Sequence, residues 1–593
     1  MADKKHHRQK TMVTGGGGNN QSYQNNNSSN QQQPFNQQQQ SSNIGNFTKK
    51  SYPKKNYSQF KNQDQNQIKQ NSVFDDPFEE SSYLKFLMSE RYHIYEDIAA
   101  KERRYEALQK LKEIINQWQI DHAVNVRKIN QQEAQKRQSC LLPFGSYEMG
   151  VHFPDTDMDL ICVFPQYILQ EDFFNTFKTF ITSQKDVENV IDVVDARVPI
   201  LKLKFMGNQI DLLYACIDPK LLNEQVKIQK IIKDEQVFNK LNQVSQNSLN
   251  GLKATQNLIK SVPNPRKFKI FLRCIKLWAQ RRGIYSNTFG YLGGISYAIL
   301  VAKICQDHPD LELVDLVHKF FEVYSEWKWF DPVFIKIGKK KDNTKLDLNK
   351  LQVLDAYSQD IMPILTPNTN PKNSAYRVCQ LTFDTICSEL YRGKQILKQL
   401  APSTLKVIKQ PDEQEESIPQ TQTDNQEEIK GGDLLQQQIL TTSTISLPKK
   451  ICWTKLFQRF RFFGNYNHFI RVDVLSTDES GHLKWQGYVE SQLRRLIQLF
   501  QDVEQIQGLR IYPRALSRDE TRDTMNDQFK CCDSYFIGIK FNETGSQASV
   551  NLREQVINFC NFLEIGRVTK QINNVRILHF KKSELPEELI EKY

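Results

Sequence analysis

The chain has 593 residues, a quarter of them charged, and a formal charge of +11. Mean hydropathy is −0.59, and no apolar run approaches the roughly 20 residues a helical membrane span requires, so no membrane partner is expected. Eleven cysteines are scattered without a CxxC pair, which argues against a zinc ribbon or a disulfide framework and for reduced thiols in cytosol or nucleus.

At about 150 residues per domain, the length suits three or four domains. The start, Met1-Ala2-Asp3-Lys4-Lys5, has no apolar stretch behind it and does not read as a secretory signal. Residues 1–75 are rich in Gln, Asn, Ser and Gly, with too little apolar surface to offset chain entropy, so a disordered tail is expected. Most of the positive charge sits there: residues 1–70 hold ten Lys/Arg against Asp3 and Asp64. A basic tail of that kind raises encounter rates with nucleic acid, while the rest of the chain is close to neutral.

Order is expected from Asp76-Pro77. Leu108, Leu111, Ile115 and Trp118 recur at helical spacing and predict an amphipathic helix. Leu160–Phe164, Arg197–Phe205 and Gln209–Tyr214 are β-rich apolar runs, the last two joined by a turn at Met206-Gly207-Asn208. Phe173–Ile181 suits a crossover helix. These elements make a small mixed-sheet unit over residues 76–240, whose first helix can pack on the next unit. Residues 241–400 read as helical: Phe268, Phe271, Leu272, Ile275 and Trp278 share one face, with Lys269, Arg273 and Lys276 on another. The first two of these cations are expected to form a solvated face. Residues 401–448 are low in complexity and read as a flexible insertion. Residues 449–593 order strand-like runs (468–474, 535–541, 575–580) around helical ones (488–500, 554–563), which suits an RRM-like α/β sandwich. The fold class is therefore α+β and multidomain. Trp453, Phe462, Phe463, Tyr466 and Phe469 could stack bases, but core packing is the better reading for most of them.

The chemistry concentrates in the first sheet. Asp157 and Asp159 are separated by one residue and follow Phe144-Gly145-Ser146 after a short loop. In a strand, residues i and i+2 share a face, so both carboxylates point one way. Asp211, on a neighbouring strand, can complete a three-carboxylate cradle of the kind that holds two Mg²⁺ ions, with Mn²⁺ as the alternative. One ion would lower the pKa of an attacking hydroxyl and the other would hold a triphosphate. A DxD pair alone is weak evidence. Its setting after a Gly-Ser turn, whose amide and hydroxyl could face phosphate, makes it strong. Asp155 has the right parity but reads as a loop residue, and Asp192 and Asp195 as turn or strand-end residues.

The run from Pro143-Phe144-Gly145-Ser146-Tyr147 through Gly150-Val151-His152 to Asp157-Met158-Asp159 resembles the signature of the nuclear poly(A) polymerases, within the β-type nucleotidyltransferases. Leu249-Asn250-Gly251, Ile275-Lys276-Leu277-Trp278, Tyr285-Ser286-Asn287 and Gly290-Tyr291-Leu292-Gly293-Gly294 are similar to later blocks of that family, as are Trp453-Thr454-Lys455 and Gly487-Tyr488-Val489-Glu490-Ser491. The resemblance implies a nucleotidyltransferase palm, a helical middle domain and an RRM-like RNA-binding domain, with RNA in the cleft between them. It implies metal ligation by Asp157, Asp159 and Asp211, a nucleotide site lined by Phe144, Gly145 and Ser146, and sugar or base contact by Asn250. Lys276 and Tyr285 would take the triphosphate, and Gly294-Ile295 the adenine pocket. It further implies template-independent addition of AMP from ATP to RNA 3′ ends, a nuclear monomer, and partners in the mRNA 3′-end cleavage and polyadenylation machinery. Glu148, Phe153 and Asp155-Thr156 depart from the residues usual in the family. Two rivals stand beside this reading: a terminal uridylyltransferase, and an RNA-binding scaffold without catalysis.

Overall fold

The computed structural model describes residues 82–194, 196–222, 225–337, 357, 359–399, 453–522, 529–542, 550–565 and 573–593. All fall within one unit, Val73–Tyr593. The expected tail (1–75), the insertion (401–448) and Asp195 lie outside the described residues.

Helix α1 (Ile98–Asn125) starts at Asp97, whose side chain accepts from the Ala100 amide at 2.6 Å. It buries Ala107, Leu111, Ile115 and Trp118, the predicted stripe. Five strands follow: β1 (Cys140–Pro143), β2 (Met158–Pro165), β3 (Val187–Val193), β4 (Ile200–Phe205) and β5 (Asn208–Ile217). Their order is β1-β2-β5-β4-β3, and β2 runs parallel to β5. The β4–β5 turn has positive φ at both Met206 (49°) and Gly207 (77°), the twist that suits a two-residue hairpin. β1 and β3 were not predicted. The first is only four residues long, and the second breaks its apolar residues with Glu188, Asn189 and Asp192.

One face of this sheet (Leu160, Cys162, Phe164, Leu212, Tyr214) packs on α1 and on Phe173, Phe177 and Ile181 of the helical run 170–182. The other face (Ile161, Val163, Leu213, Ala215) packs on α2 (Gln225–Lys233) and α3 (Gln243–Ser261). Helices α4 (Pro265–Arg281), α5 (Gly294–Asp307), α6 (Leu313–Ser325) and α7 (Gln380–Lys398) make the middle of the chain, around Phe271, Trp278, Phe320 and Phe321. Leu84, Leu87 and Met88, early in the sequence, belong to that same core.

The C-terminal part runs β6 (His468–Ser476), α8 (Glu479–Gln501), β7 (Ile506–Ile511), β8 (Leu516–Ser517), β9 (Cys531–Phe541), α9 (Arg553–Ile565) and β10 (Asn573–Lys581). The four long strands are antiparallel, in the order β10-β6-β9-β7. Strands β6 and β9 are thus central, in the βαββαβ arrangement of an RRM-like sandwich. Ile470, Val472 and Val474 pack with Val489, Leu493 and Ile497 of α8, in a core continuous with that of the middle helices. The opposite face is sealed. Phe462, Phe463 and Tyr466 lie against Phe469 and Phe536. A Cβ on Gly538 would stand 2.5 Å from the Tyr466 ring, so only glycine lets that ring lie on the sheet. Asp473, on this face, is fully buried and paired with Arg471 (2.9 Å), Arg576 (2.7 Å) and the Ser534 hydroxyl (2.6 Å). Core packing therefore claims these aromatics, as the sequence suggested.

Candidate active site

The parallel register sets Asp159 of β2 directly beside Asp211 of β5. Asp159 has the same parity as Ile161 and Val163, and Asp211 the same as Leu213 and Ala215. The two carboxylates therefore continue the apolar face that α2 and α3 cover, at the end of the strands where that cover stops. Asp157 precedes β2 by one residue. Asp155 is exposed in the turn before it.

Like charges and burial shape the protonation of this cluster. Burial, then Asp211, then Asp157, push the Asp159 carboxyl up to about 7. Burial and Asp211 also raise Asp157, against the lowering effects of Lys202 and Arg104. These carboxylates are within one another's field, yet among the described residues no three acidic, His or Cys side chains converge as a finished metal cage. Lys202 of β4, directly across from Asp211, donates to both of its carboxylate oxygens at 2.7 Å. Burial lowers the Lys202 amine, but Asp211 leads three aspartates that raise it above its ordinary value. Lys202 was missed in the sequence, although counting outward from the two-residue turn pairs it with Asp211.

The Gly-Ser turn fits against the aspartates. The Phe144 amide donates to the Asp159 carbonyl at 3.0 Å. Gly145 has φ of +62°, and a Cβ there would sit 2.4 Å from Asp159 Oδ2. Both facts require glycine. Its amide, expected to be free for phosphate, instead donates to Thr255 Oγ1 at 3.0 Å. Ser146 is half-buried in the short helix Gly145–Glu148, and its carbonyl accepts from the Val151 amide at 3.0 Å. Phe144 rests on Gly251, where a Cβ would come within 3.2 Å of its ring. Asn250, next to Gly251 on α3, is tied in through its backbone: its carbonyl accepts from Asn368 Nδ2 at 3.3 Å.

Helix α4 supplies a cationic wall, and here the solvated-face reading fails. Arg273 is only 8% exposed, donates to the Gly150 carbonyl at 2.5 Å and lies over the Tyr95 ring at 4.8 Å. Lys276 is 3% exposed and donates to the Val151 carbonyl at 2.9 Å. Burial and Arg273 bring its amine down to about 8, against the pull of Asp159. Lys269, beside them, is lowered by burial and by Arg273. The cations face inward because the loop 150–154 packs on them, and no single-helix pattern reveals that. The same loop is held from α1: Arg104 pairs with Glu96 at 2.5 Å and donates to the Pro154 carbonyl at 2.7 Å, while His152 meets Glu96 at 2.9 Å.

Tyr285 stacks on Tyr297 with ring centroids 5.8 Å apart. Its phenol is raised by burial and by Asp159, so it faces the carboxylates as a neutral donor. Its hydroxyl oxygen lies 2.8 Å from where a Gly294 Cβ would stand, which brings the start of α5, with Ile295, to the same cavity wall. Glu490 of α8, hydrogen-bonded by the Tyr535 hydroxyl at 2.8 Å, lies within the field of Lys202 from the C-terminal sheet.

Three family models match successive parts of the chain: the poly(A) polymerase nucleotidyltransferase domain (residues 77–262), the poly(A) polymerase central domain (267–409) and the poly(A) polymerase predicted RNA binding domain (461–532). The chain belongs to the poly(A) polymerase family. A poly(A) polymerase of Dictyostelium discoideum is 30% identical over 513 residues, which are 84% of this chain and 55% of that protein. Nuclear poly(A) polymerase 2 of Arabidopsis thaliana is 30% identical over 507 residues, 85% of this chain and 56% of its own length. The chain thus spans little more than half the length of these relatives. Among solved structures, the Cid1 poly(U) polymerase is similar at 16% identity over 53% of this chain and 93% of its own, with a TM-score of 0.36.

Proposed function

We propose that this protein is a polynucleotide adenylyltransferase that adds AMP from ATP to RNA 3′ ends without a template and releases pyrophosphate. The observation that carries this reading is the register of Asp159 against Asp211, with Asp157 two residues before, in a chain whose three parts match the three poly(A) polymerase models in order.

Asp157, Asp159 and Asp211 offer only oxygen donors, which suits Mg²⁺ or Mn²⁺. Asp159, pushed up to about 7 by burial and by its acidic neighbours, gains most from a cation nearby. Such cations, when bound, acidify the attacking 3′-hydroxyl and neutralise the triphosphate. The chain's own residues do the positioning. Asp211 is the acceptor for the hydroxyl proton. Lys276 and the Tyr285 hydroxyl face the carboxylates from the helical wall and orient the phosphates. Phe144, Gly145 and Ser146 line the nucleotide, Asn250 meets its sugar or base, and Gly294-Ile295 borders the adenine. RNA enters between the two sheets. Mg²⁺ is the ion we propose, with Mn²⁺ as the alternative. A nuclear monomer acting with the mRNA 3′-end cleavage and polyadenylation machinery is the matching setting, in keeping with relatives named nuclear poly(A) polymerases.

Extension of an oligo(A) primer with each of the four nucleoside triphosphates separately tests the reading. ATP should be strongly preferred. Preference for UTP would make the enzyme a uridylyltransferase, and tight primer binding with no incorporation would make it a scaffold.

A further inference from the structure

Lys202 is not an ordinary surface lysine. It extends from β4 on the same sheet face as the carboxylates and grips both oxygens of Asp211 at 2.7 Å. An ammonium so placed uses up the donor pair that a cation on the attacking side would need. Lys204, two residues along and on the same face, shows the contrast: it pairs with the exposed Glu188 at 2.9 Å, away from the site. Around Lys202 stand Asp157, Asp159 and Asp211 from the first sheet and Glu490 from α8. The amine therefore does what a divalent cation would do, relieving the repulsion between clustered carboxylates.

We propose that Lys202 is a built-in competitor of the attacking-side cation: it holds Asp211 until a divalent ion displaces it, and so weakens and gates cation entry at the three-aspartate site. The exchange is balanced. The Asp211–ammonium pair is broken, an Asp211–cation bond is formed, and Lys202 leaves with its proton. Lys202 is 44% exposed, so it can swing out without disturbing the core. The acidic Glu490 on the facing wall can receive its charge. The proposal rests on the reading of the three aspartates as cation ligands.

Mn²⁺ binding without nucleotide, followed by electron paramagnetic resonance of the free ion, tests it directly. Lys202→Met should bind Mn²⁺ about tenfold more tightly than the parent, because one competing ion pair is gone. Lys204→Met removes the same charge nearby and should change affinity by no more than about twofold. Lys202→Arg keeps the competing charge and should bind no more tightly than the parent. Equal or weaker binding by Lys202→Met, or equal tightening by Lys204→Met, overturns the role of Lys202. Should Lys202→Met not fold, tighter binding by Lys202→Arg than by the parent overturns it instead. Asp211→Asn separates the two levels. If it binds Mn²⁺ like the parent, the aspartate site itself is wrong; if it loses binding while Lys202→Met is unchanged, only the lysine's role falls.

Discussion

The helical middle of this molecule meets its two sheets with different shares of apolar and charged contact. Against the C-terminal sheet the interface is a continuous apolar core, in which Trp453, Leu456 and Val472 join Phe271 and Trp278. At its heart Glu389 is buried between Arg282 (2.8 and 3.0 Å) and Arg510 (3.2 Å). Against the first sheet the loop 150–154 also buries Val151 and Phe153 in that core, and polar contacts are added to them: Arg273 and Lys276 hold its backbone carbonyls, with Glu96 and Arg104 behind it. The apolar core fixes one sheet to the helices. The loop beside the aspartates is thus held by buried charge as well as by apolar packing.

The largest effect is expected where the buried charges lock the fixed interface. Glu389→Ala leaves two arginines buried without a counter-charge and should cost about 3–5 kcal/mol, read as a fall in the denaturant midpoint. A loss below about 1 kcal/mol would mean the two interfaces do not differ as described.

Gly145→Ala should come next, and should act on activity. The added methyl collides with Asp159 and the backbone resists φ of +62°. AMP incorporation should fall by roughly two orders of magnitude, about 2.7 kcal/mol in the barrier, beside a stability loss of about 1–3 kcal/mol from the strained backbone. Near-parental turnover would show that the turn does not abut the working site.

Asp159→Asn sharpens the electrostatic side. The native carboxyl titrates near 7 and the unfolded one near 4, so the native state holds a proton that the unfolded state has lost between those values. Aspartate thus costs stability that is absent below about pH 4, grows to about pH 7 and then levels. With chelator present, the asparagine variant should match the parent at pH 4 and exceed it by about 4 kcal/mol at pH 8. A difference that does not vary with pH would place Asp159 outside the acidic cluster.

The smallest effect is expected from Arg273→Ala, which removes one bond of the polar clamp. Stability should drop by about 1–2 kcal/mol, while KM for ATP rises because the loop 150–154 slackens. A change in kcat alone, with KM kept, would separate the clamp from nucleotide binding.

How far the sequence could be read follows the range of the interactions. The aspartates, the Gly-Ser turn and the β4–β5 hairpin are local patterns, and they stand where the pattern put them. Arg273 could not be read, since its burial depends on a carbonyl at Gly150, far away in the chain. Lys202 lay between these cases: its register was countable from the hairpin turn, but a strand lysine has no signal of its own. The aromatics of 460–469 were weighed correctly as core, because a segment so dense in Phe and Tyr has more apolar surface than one sheet face can expose.

One measurement bears most directly on the whole account: single-turnover transfer of AMP from ATP to an oligo(A) primer by Asp157→Ala and Asp211→Ala, each checked by circular dichroism for an intact fold. Transfer should drop by several orders of magnitude in both, with primer affinity retained. Either variant extending the primer at close to the parental rate would contradict it.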